Sequence, residues 1–238
     1  MYPIGLLLAL LFILFRFLGR IRIVHPERFP HDQGKMIISS NHPSLLEPIL
    51  LPVMCYSEFL RHPFTRMPIS TPDKKNYFSP PYWRWLLRLA AVPIDRENRK
   101  ENIKALRELV KILNELNGIV IIFGEGGRTE SGKSSPTKES DFFYSPKRKG
   151  KIRPLQKGIS SLIKITNPLV LPVWVEIEKK ISKDLSDKMY FNSLIFVFFT
   201  LLRRGITIKI GRPVKFEGAR EEITQKLLID LLELADEE

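Results

Sequence analysis

The sequence predicts an α/β fold: a mixed, mostly parallel sheet flanked by helices, preceded by an N-terminal membrane-associated helix. Three observations carry that prediction. Short β-branched runs alternate with longer stretches of helical apolar spacing, as crossover-connected strands require. The run Ile119 to Phe123 is apolar at every position, the mark of a strand covered on both faces. Residues 2–15 are apolar and carry no charge.

Composition bounds the rest. A chain of 238 residues is long enough for one large domain with a real core. Its 44% hydrophobic and 27% charged residues are those of a globular protein. The net charge is +12, from 38 Lys+Arg against 26 Asp+Glu, which favours anionic partners: lipid headgroups, phosphorylated substrates or nucleic acid. A single cysteine, Cys55, excludes an intrachain disulfide and a cysteine-based zinc cluster. It lies in an apolar run and is expected to be a core thiol.

Taken in order, the apolar N-terminal run is shorter than the ~20 residues that span a bilayer comfortably. It lacks the small-residue cleavage site of a secretory signal, and Arg16, Arg20 and Arg22 follow it rather than precede it. That asymmetry predicts a helix tilted into or lying on the membrane, with the body of the protein on the cytoplasmic side. Residues 1–24 are assigned to this anchor and 25–238 to the domain that follows. Met36 to Ser39 is a predicted strand, and Pro43 suits the first position of a helix running towards Met54. Residues 61–81 are expected to be irregular, 82–89 helical and 91–94 a short strand. Helical spacing of Ile103, Leu106, Leu109, Val110 and Leu113 predicts a helix over 98–117, stopped by Gly118. After the strand 119–123 comes a glycine-rich turn. Residues 130–154, basic and turn-rich, are expected to form an exposed, mobile loop. A helix over 157–165 and a strand over 169–175 follow, then an apolar stretch at 191–202. The chain closes with a strand over 206–210 and a helix over 221–235.

Three short motifs carry chemistry. In Asn41-His42-Pro43-Ser44-Leu45-Leu46-Glu47, His42 stands at a helix mouth with Glu47 about one turn in. The positive end of the helix dipole disfavours an imidazolium, so His42 stays neutral and able to accept a proton. Glu47 can orient the ring and stabilise the cation once it forms, as in a triad without its serine. The second motif, Ile94-Asp95-Arg96, ends a strand, where α/β folds place ligand groups, and Arg96 offers a planar fork for a phosphate. The third is Phe123-Gly124-Glu125-Gly126-Gly127-Arg128. Its glycines admit close backbone approach and aim N–H groups at an anion, and Arg128 adds a second fork. Each motif alone also has a plain structural reading: a core His–Glu pair, a surface ion pair, a tight turn.

In order, His-x4-acid, Ile-Asp-Arg, Glu-Gly-x-Arg and then Leu171-Pro172-Val173, the series resembles the 1-acylglycerol-3-phosphate acyltransferase family of glycerolipid synthesis. The resemblance runs from about Met36 to Gly211. It implies a glycerolipid-acyltransferase-like fold with His42 as catalytic base and Glu47 as its partner. It also implies an acceptor site of Arg96, Glu125, Gly126 and Arg128, and a place for Pro172 in the strand that shapes the acyl pocket. The implied reaction is attack of a lysophospholipid hydroxyl on an acyl thioester. It needs no metal and no cofactor beyond the carrier, acyl-CoA or acyl carrier protein, as co-substrate. Three departures stand out. Glu47 replaces the family's usual Asp, Gly124 and Gly127 replace its usual Pro and Thr, and the 130–154 segment is longer than its usual connection.

The expected product with 1-acylglycerol-3-phosphate is phosphatidic acid; another lysolipid or an aminolipid precursor is the alternative acceptor. A non-catalytic basic lipid-binding protein of the membrane surface is the reading from a different class. Nucleic acid is not an expected partner, because the basic residues flank apolar segments instead of alternating with exposed aromatics.

Overall fold

The computed structural model describes residues 2–43, 47–62, 66–74, 90–95, 97–127, 129, 141–177 and 205–238. The predicted helix over 82–89 and the apolar stretch 191–202 lie outside them, as do residues 130–140.

Six strands of the described residues form one sheet: β1 (Ile21–Val24), β2 (Met36–Ser40), β3 (Pro68–Ser70), β4 (Ile119–Phe123), β7 (Leu169–Ile177) and β8 (Ile206–Ile210), in the order β1-β8-β7-β2-β4-β3. Strands β7, β2, β4 and β3 run parallel, as do β1 and β8, while β7 and β8 are antiparallel. The sheet is therefore mixed and mostly parallel, as predicted. Alternation along each strand builds two cores. Met36, Ile38, Ile121, Val173 and Ile208 pack on one face with helices α1 (Tyr2–Phe17) and α2 (Glu47–Met54), through residues such as Phe15 and Leu51. Ile37, Val120, Val170 and Trp174 face the other way. There they meet α4 (Arg99–Leu116), α5 (Lys157–Thr166) and α6 (Arg220–Asp236) through Leu113, Leu162 and Leu231. Two-sided burial explains why the central strands read as unbroken apolar runs.

Several elements differ from expectation. Strand β1 falls inside the segment assigned to the anchor, yet it pairs with β8 from Ile21↔Ile206 to Val24↔Lys209. A strand of four residues on an edge is too short to show periodicity. The segment 91–94 makes only isolated bridges, Ala91 to Ser70 and Ile94 to Asp73, because Pro72 and Pro93 interrupt the ladder. Helix α4 ends on Asn117, which takes the left-handed conformation expected of Gly118, and Asn98 caps its start by accepting from the Lys100 and Glu101 N–H groups.

The largest correction concerns the basic segment. Its second half is a hairpin, β5 (Phe143–Tyr144) with β6 (Lys151–Ile152), docked on α6. The Asp236 carboxylate accepts from the Ser145 hydroxyl and the Lys147 N–H, both at 2.7 Å. Gly150 lies where a Cβ would strike Trp174 and Ala235, and Ile152 is fully buried. The lysines are exposed, but the backbone that carries them is anchored.

Helix α1 forms where predicted, at 16 residues. No helix among the described residues is long and apolar enough to cross a membrane. The inner side of α1 buries Ala9, Phe12 and Phe15, its outer side exposes Leu6, Leu7, Leu10, Ile13, Leu14 and Phe17, and Leu18 is exposed just past its end.

Helix α3 (Tyr56–Arg61), not anticipated, fixes the far end of α2. Its Glu58 is completely buried. One oxygen meets His31 Nδ1 at 2.7 Å and Arg61 Nη1 at 3.2 Å; the other takes the Asp32 N–H at 3.1 Å and faces Arg66 Nε at 3.0 Å. Cys55 is buried beside it, its thiol pushed far up by burial and then by the Glu58 charge, in keeping with a core thiol. Burial would raise the Glu58 carboxyl, but the His31 and Asp32 hydrogen bonds and the Arg66 charge hold it below its ordinary value of 4.5. A depressed carboxyl stabilises the fold above that value and ceases to do so as pH falls through the lowered one. Glu58→Gln should therefore destabilise the protein at neutral pH and converge with the wild type as pH falls through the lowered carboxyl value. Thermal melts across pH check this; a gap of constant size would refute the assignment.

Candidate active site

The parallel strands β2, β4 and β3 deliver Ser40, Phe123 and Ser70 to one edge of the sheet, and the candidate residues gather there. Strand β2 is the centre of this arrangement, lying between β4 and β7. As the chain leaves it, the buried Asn41 side chain replaces the lost strand ladder: Nδ2 donates to the Val175 carbonyl at 2.9 Å and Oδ1 accepts its N–H at 2.7 Å. His42 is thereby tied to a fixed point.

The His42 ring is mostly buried, and its Nδ1 lies 2.9 Å from Oε2 of the fully buried Glu47. An ionised carboxylate only accepts, so Nδ1 carries the hydrogen and Nε2 presents a lone pair. Nε2 has no hydrogen-bond partner among the described residues. Phe123 stacks on the imidazole, with ring centres 4.4 Å apart and planes at 26°. Glu47 is the first described residue of α2, where the positive end of the helix favours its charge. Pro43 stands outside that helix, and residues 44–46 lie outside the described residues. The extra methylene of Glu47 over Asp is thus accommodated with a full hydrogen bond.

Glu125 has a different place from the one the resemblance implies. It is buried, and its carboxylate points into the protein. Oε1 accepts the His42 N–H at 2.9 Å and the Thr129 hydroxyl at 2.6 Å; Oε2 accepts the Arg153 N–H at 3.0 Å. The Thr129 N–H in turn donates to the His42 carbonyl at 2.9 Å. Both sides of the His42 backbone are clamped by the glycine-rich turn. Burial pushes the Glu125 carboxyl above its ordinary value, against the opposing pull of these hydrogen bonds and the nearby His42. Gly126 closes the turn with a positive φ of 67° and donates its N–H to the Phe123 carbonyl at 3.1 Å. Gly124 is packed so closely under Leu155 that a Cβ would come within 2.8 Å of its Cδ2, and its carbonyl accepts the Gln156 N–H. The turn without Pro and Thr is not loose; Leu155, Gln156 and Thr129 hold it.

Arg96 and Arg128 lie outside the described residues. Their neighbourhoods are defined: Ile94 bridges to Asp73 just beyond β3, and Asp95 accepts from the Glu97 and Asn98 N–H groups. Pro172 is paired with Ser39 in the sheet interior, and its carbonyl accepts the Gly211 N–H at 2.8 Å. Among the described residues no group of three or more His, Cys, Asp or Glu could hold a metal ion. Sequence reasoning missed Asn41, Thr129 and Arg153 as parts of this arrangement. Thr129 and Arg153 belong to a stretch that composition marks only as polar and basic, and Asn41 was visible only as the neighbour of His42.

The arrangement can hold a neutral imidazole, take a proton at Nε2 and stabilise the resulting cation. Comparison with known proteins places it. A search of curated proteins finds no match. Among solved structures, the crystal structure of the 1-acyl-sn-glycerophosphate (LPA) acyltransferase PlsC from Thermotoga maritima superposes with a TM-score of 0.53 at 18% identity. The alignment covers 90% of this chain and 70% of that one, and it establishes a shared fold. Residues 20–176, more than half of the chain, match the Acyltransferase family. That span contains His42, Glu47 and the whole glycine-rich turn, and this chain belongs to the Acyltransferase family.

Proposed function

We propose that this acyltransferase moves a fatty acyl group from an acyl thioester to the hydroxyl of a lysophospholipid, with 1-acylglycerol-3-phosphate as the principal acceptor. The observation that carries this reading is the unengaged Nε2 of a histidine whose other nitrogen is held by a buried carboxylate. The acceptor hydroxyl gives its proton to Nε2 as its oxygen attacks the thioester carbonyl. Glu47 stabilises the imidazolium. Collapse of the tetrahedral intermediate expels the thiolate, which takes the proton back from His42. No covalent enzyme intermediate and no metal enter this scheme; acyl-CoA or acyl carrier protein is the donor.

In this reading Arg96 and Arg128 hold the acceptor phosphate, as the family motif implies. Glu125 and Gly126 act as positioning residues, since their polar atoms are committed to His42, Thr129, Arg153 and Phe123. The exposed apolar side of α1, followed by Arg16, Arg20 and Arg22, rests in the interface of an anionic membrane and presents the site to its lipids. The catalytic domain then lies on the cytoplasmic side, where such lipids and thioesters meet. Replacement of a larger side chain by Gly127 favours a second possibility within the same chemistry, a lysolipid with another headgroup.

Thiol release from long-chain acyl-CoA or acyl carrier protein, measured against a panel of lysolipids, tests the reaction. His42→Ala should lower kcat by about 10²–10⁴-fold, with Glu47→Gln within that range. Undiminished release by the histidine variant would end the proposal. Glu125→Gln sets an NH2 group against an N–H or hydroxyl donor. It should lower both kcat and thermal stability, where a purely phosphate-binding Glu125 would raise KM alone. Vesicle co-sedimentation should weaken with salt when the vesicles are anionic. Insensitivity to salt would mean that the apolar face of α1 accounts for attachment alone.

A further inference from the structure

One cation at the site is assigned to nothing by the family motifs. Arg153 follows directly on β6, and its backbone N–H is the donor to Glu125 Oε2 at 3.0 Å. Its side chain turns the other way. Nε donates to the Thr129 carbonyl at 3.0 Å, and Cζ sits 6.0 Å from the centre of the Phe142 ring. The two terminal nitrogens make no hydrogen bond or ion pair with any described residue, although the side chain is half-buried. The Glu125 carboxylate makes no side-chain contact with them; its hydrogen bonds come from the His42 and Arg153 N–H groups and the Thr129 hydroxyl.

A guanidinium held by Nε has lost most of its rotamer freedom and offers a fixed pair of donors. Half-buried with no anion among the described residues, it carries a free-energy cost that a ligand can recover. Its anchor matters as much as its charge. Thr129, whose carbonyl it grips, is the residue bonded through its N–H to His42. The hairpin behind it is pinned to the end of α6 by Asp236. We propose that Arg153 is a phosphate-binding residue of this site, supplied by the hairpin and additional to the two arginines of the family motif. This rests on reading the site as the acyl-transfer centre. The phosphate is carried either by the acceptor headgroup or by the nucleotide end of the acyl thioester; both present the same chemistry to a planar fork.

Arg153→Gln spares the backbone N–H that Glu125 needs but gives up the Nε–H bond to the Thr129 carbonyl, so KM reads phosphate binding and Tm reads support of the turn. With a headgroup phosphate as the ligand, KM for 1-acylglycerol-3-phosphate rises about tenfold while KM for phosphate-free 1-acylglycerol holds. With the nucleotide end as the ligand, KM rises for acyl-CoA and not for acyl-pantetheine. In either case the rise in KM exceeds any fall in kcat, and Arg153→Lys, which keeps the charge without the fork, recovers part of the loss. Unchanged KM for every substrate, or a uniform fall in kcat together with a lower Tm, overturns the proposal. A second arm does not depend on turnover: inorganic phosphate and pyrophosphate should raise the Tm of the wild type more than that of Arg153→Gln. Equal shifts, or none in the wild type, also overturn it. Phosphate-dependent stabilisation in a protein that acylates no lysolipid would instead refute the reaction and leave Arg153 in place.

Discussion

A carboxylate shut away from water has to be supplied with donors, and the donors that Glu125 recruits come from separate parts of the chain. The His42 N–H arrives from the end of β2, the Thr129 hydroxyl from the glycine-rich turn and the Arg153 N–H from the strand that leaves the hairpin. Loss of any one would leave a buried charge under-satisfied, which costs more than an ordinary hydrogen bond contributes. The three segments are therefore not free to drift independently. What holds His42 in register is a buried carboxylate whose own hydrogen bonds are all internal.

The sheet makes that clamp possible. Because β2 lies between β4 and β7, its end is flanked on one side by Phe123, which stacks on the imidazole, and on the other by Val175, which takes the Asn41 amide. The parallel arrangement sends all three strand ends to the same edge. Glu47 reaches His42 from the helix beyond, and that helix is secured at its far end by the Glu58 cluster. The histidine is thus fixed through its backbone, through its ring face and through Nδ1, leaving one nitrogen for chemistry.

Much of this was legible in the sequence. The strands 36–40, 119–123, 169–177 and 206–210 are mostly buried, so their β-branched and apolar residues announce them, and α4 shows its period plainly. The His42–Glu47 contact follows from spacing at the mouth of a helix. What stayed hidden has physical causes. Strand β1 contributes only four residues, one of them an exposed arginine, to the edge of the sheet. The hairpin is held by Asp236, Glu238, Trp174 and Ala235, all distant in sequence, contacts to which composition is blind. Glu125 sits in a motif that points to a phosphate, and only its burial reveals that its partners are internal. Nor does the sequence show that Leu155 fills the space beside Gly124.

The pairing of β1 with β8 sets the order in which this molecule can be finished. Ile21 is among the first residues of the sheet to be made, and its partner Ile206 is among the last. Until β8 arrives, β7 and β1 each expose a strand edge, and such edges invite association with other chains. The same late segment carries α6, whose Asp236 fixes the hairpin that leads to Arg153 and Glu125. A growing chain has α1 in hand early, while its glycine-rich turn still lacks this support. Support of the glycine-rich turn is therefore complete only once β8 and α6 are in place, and non-local closure of this kind folds slowly.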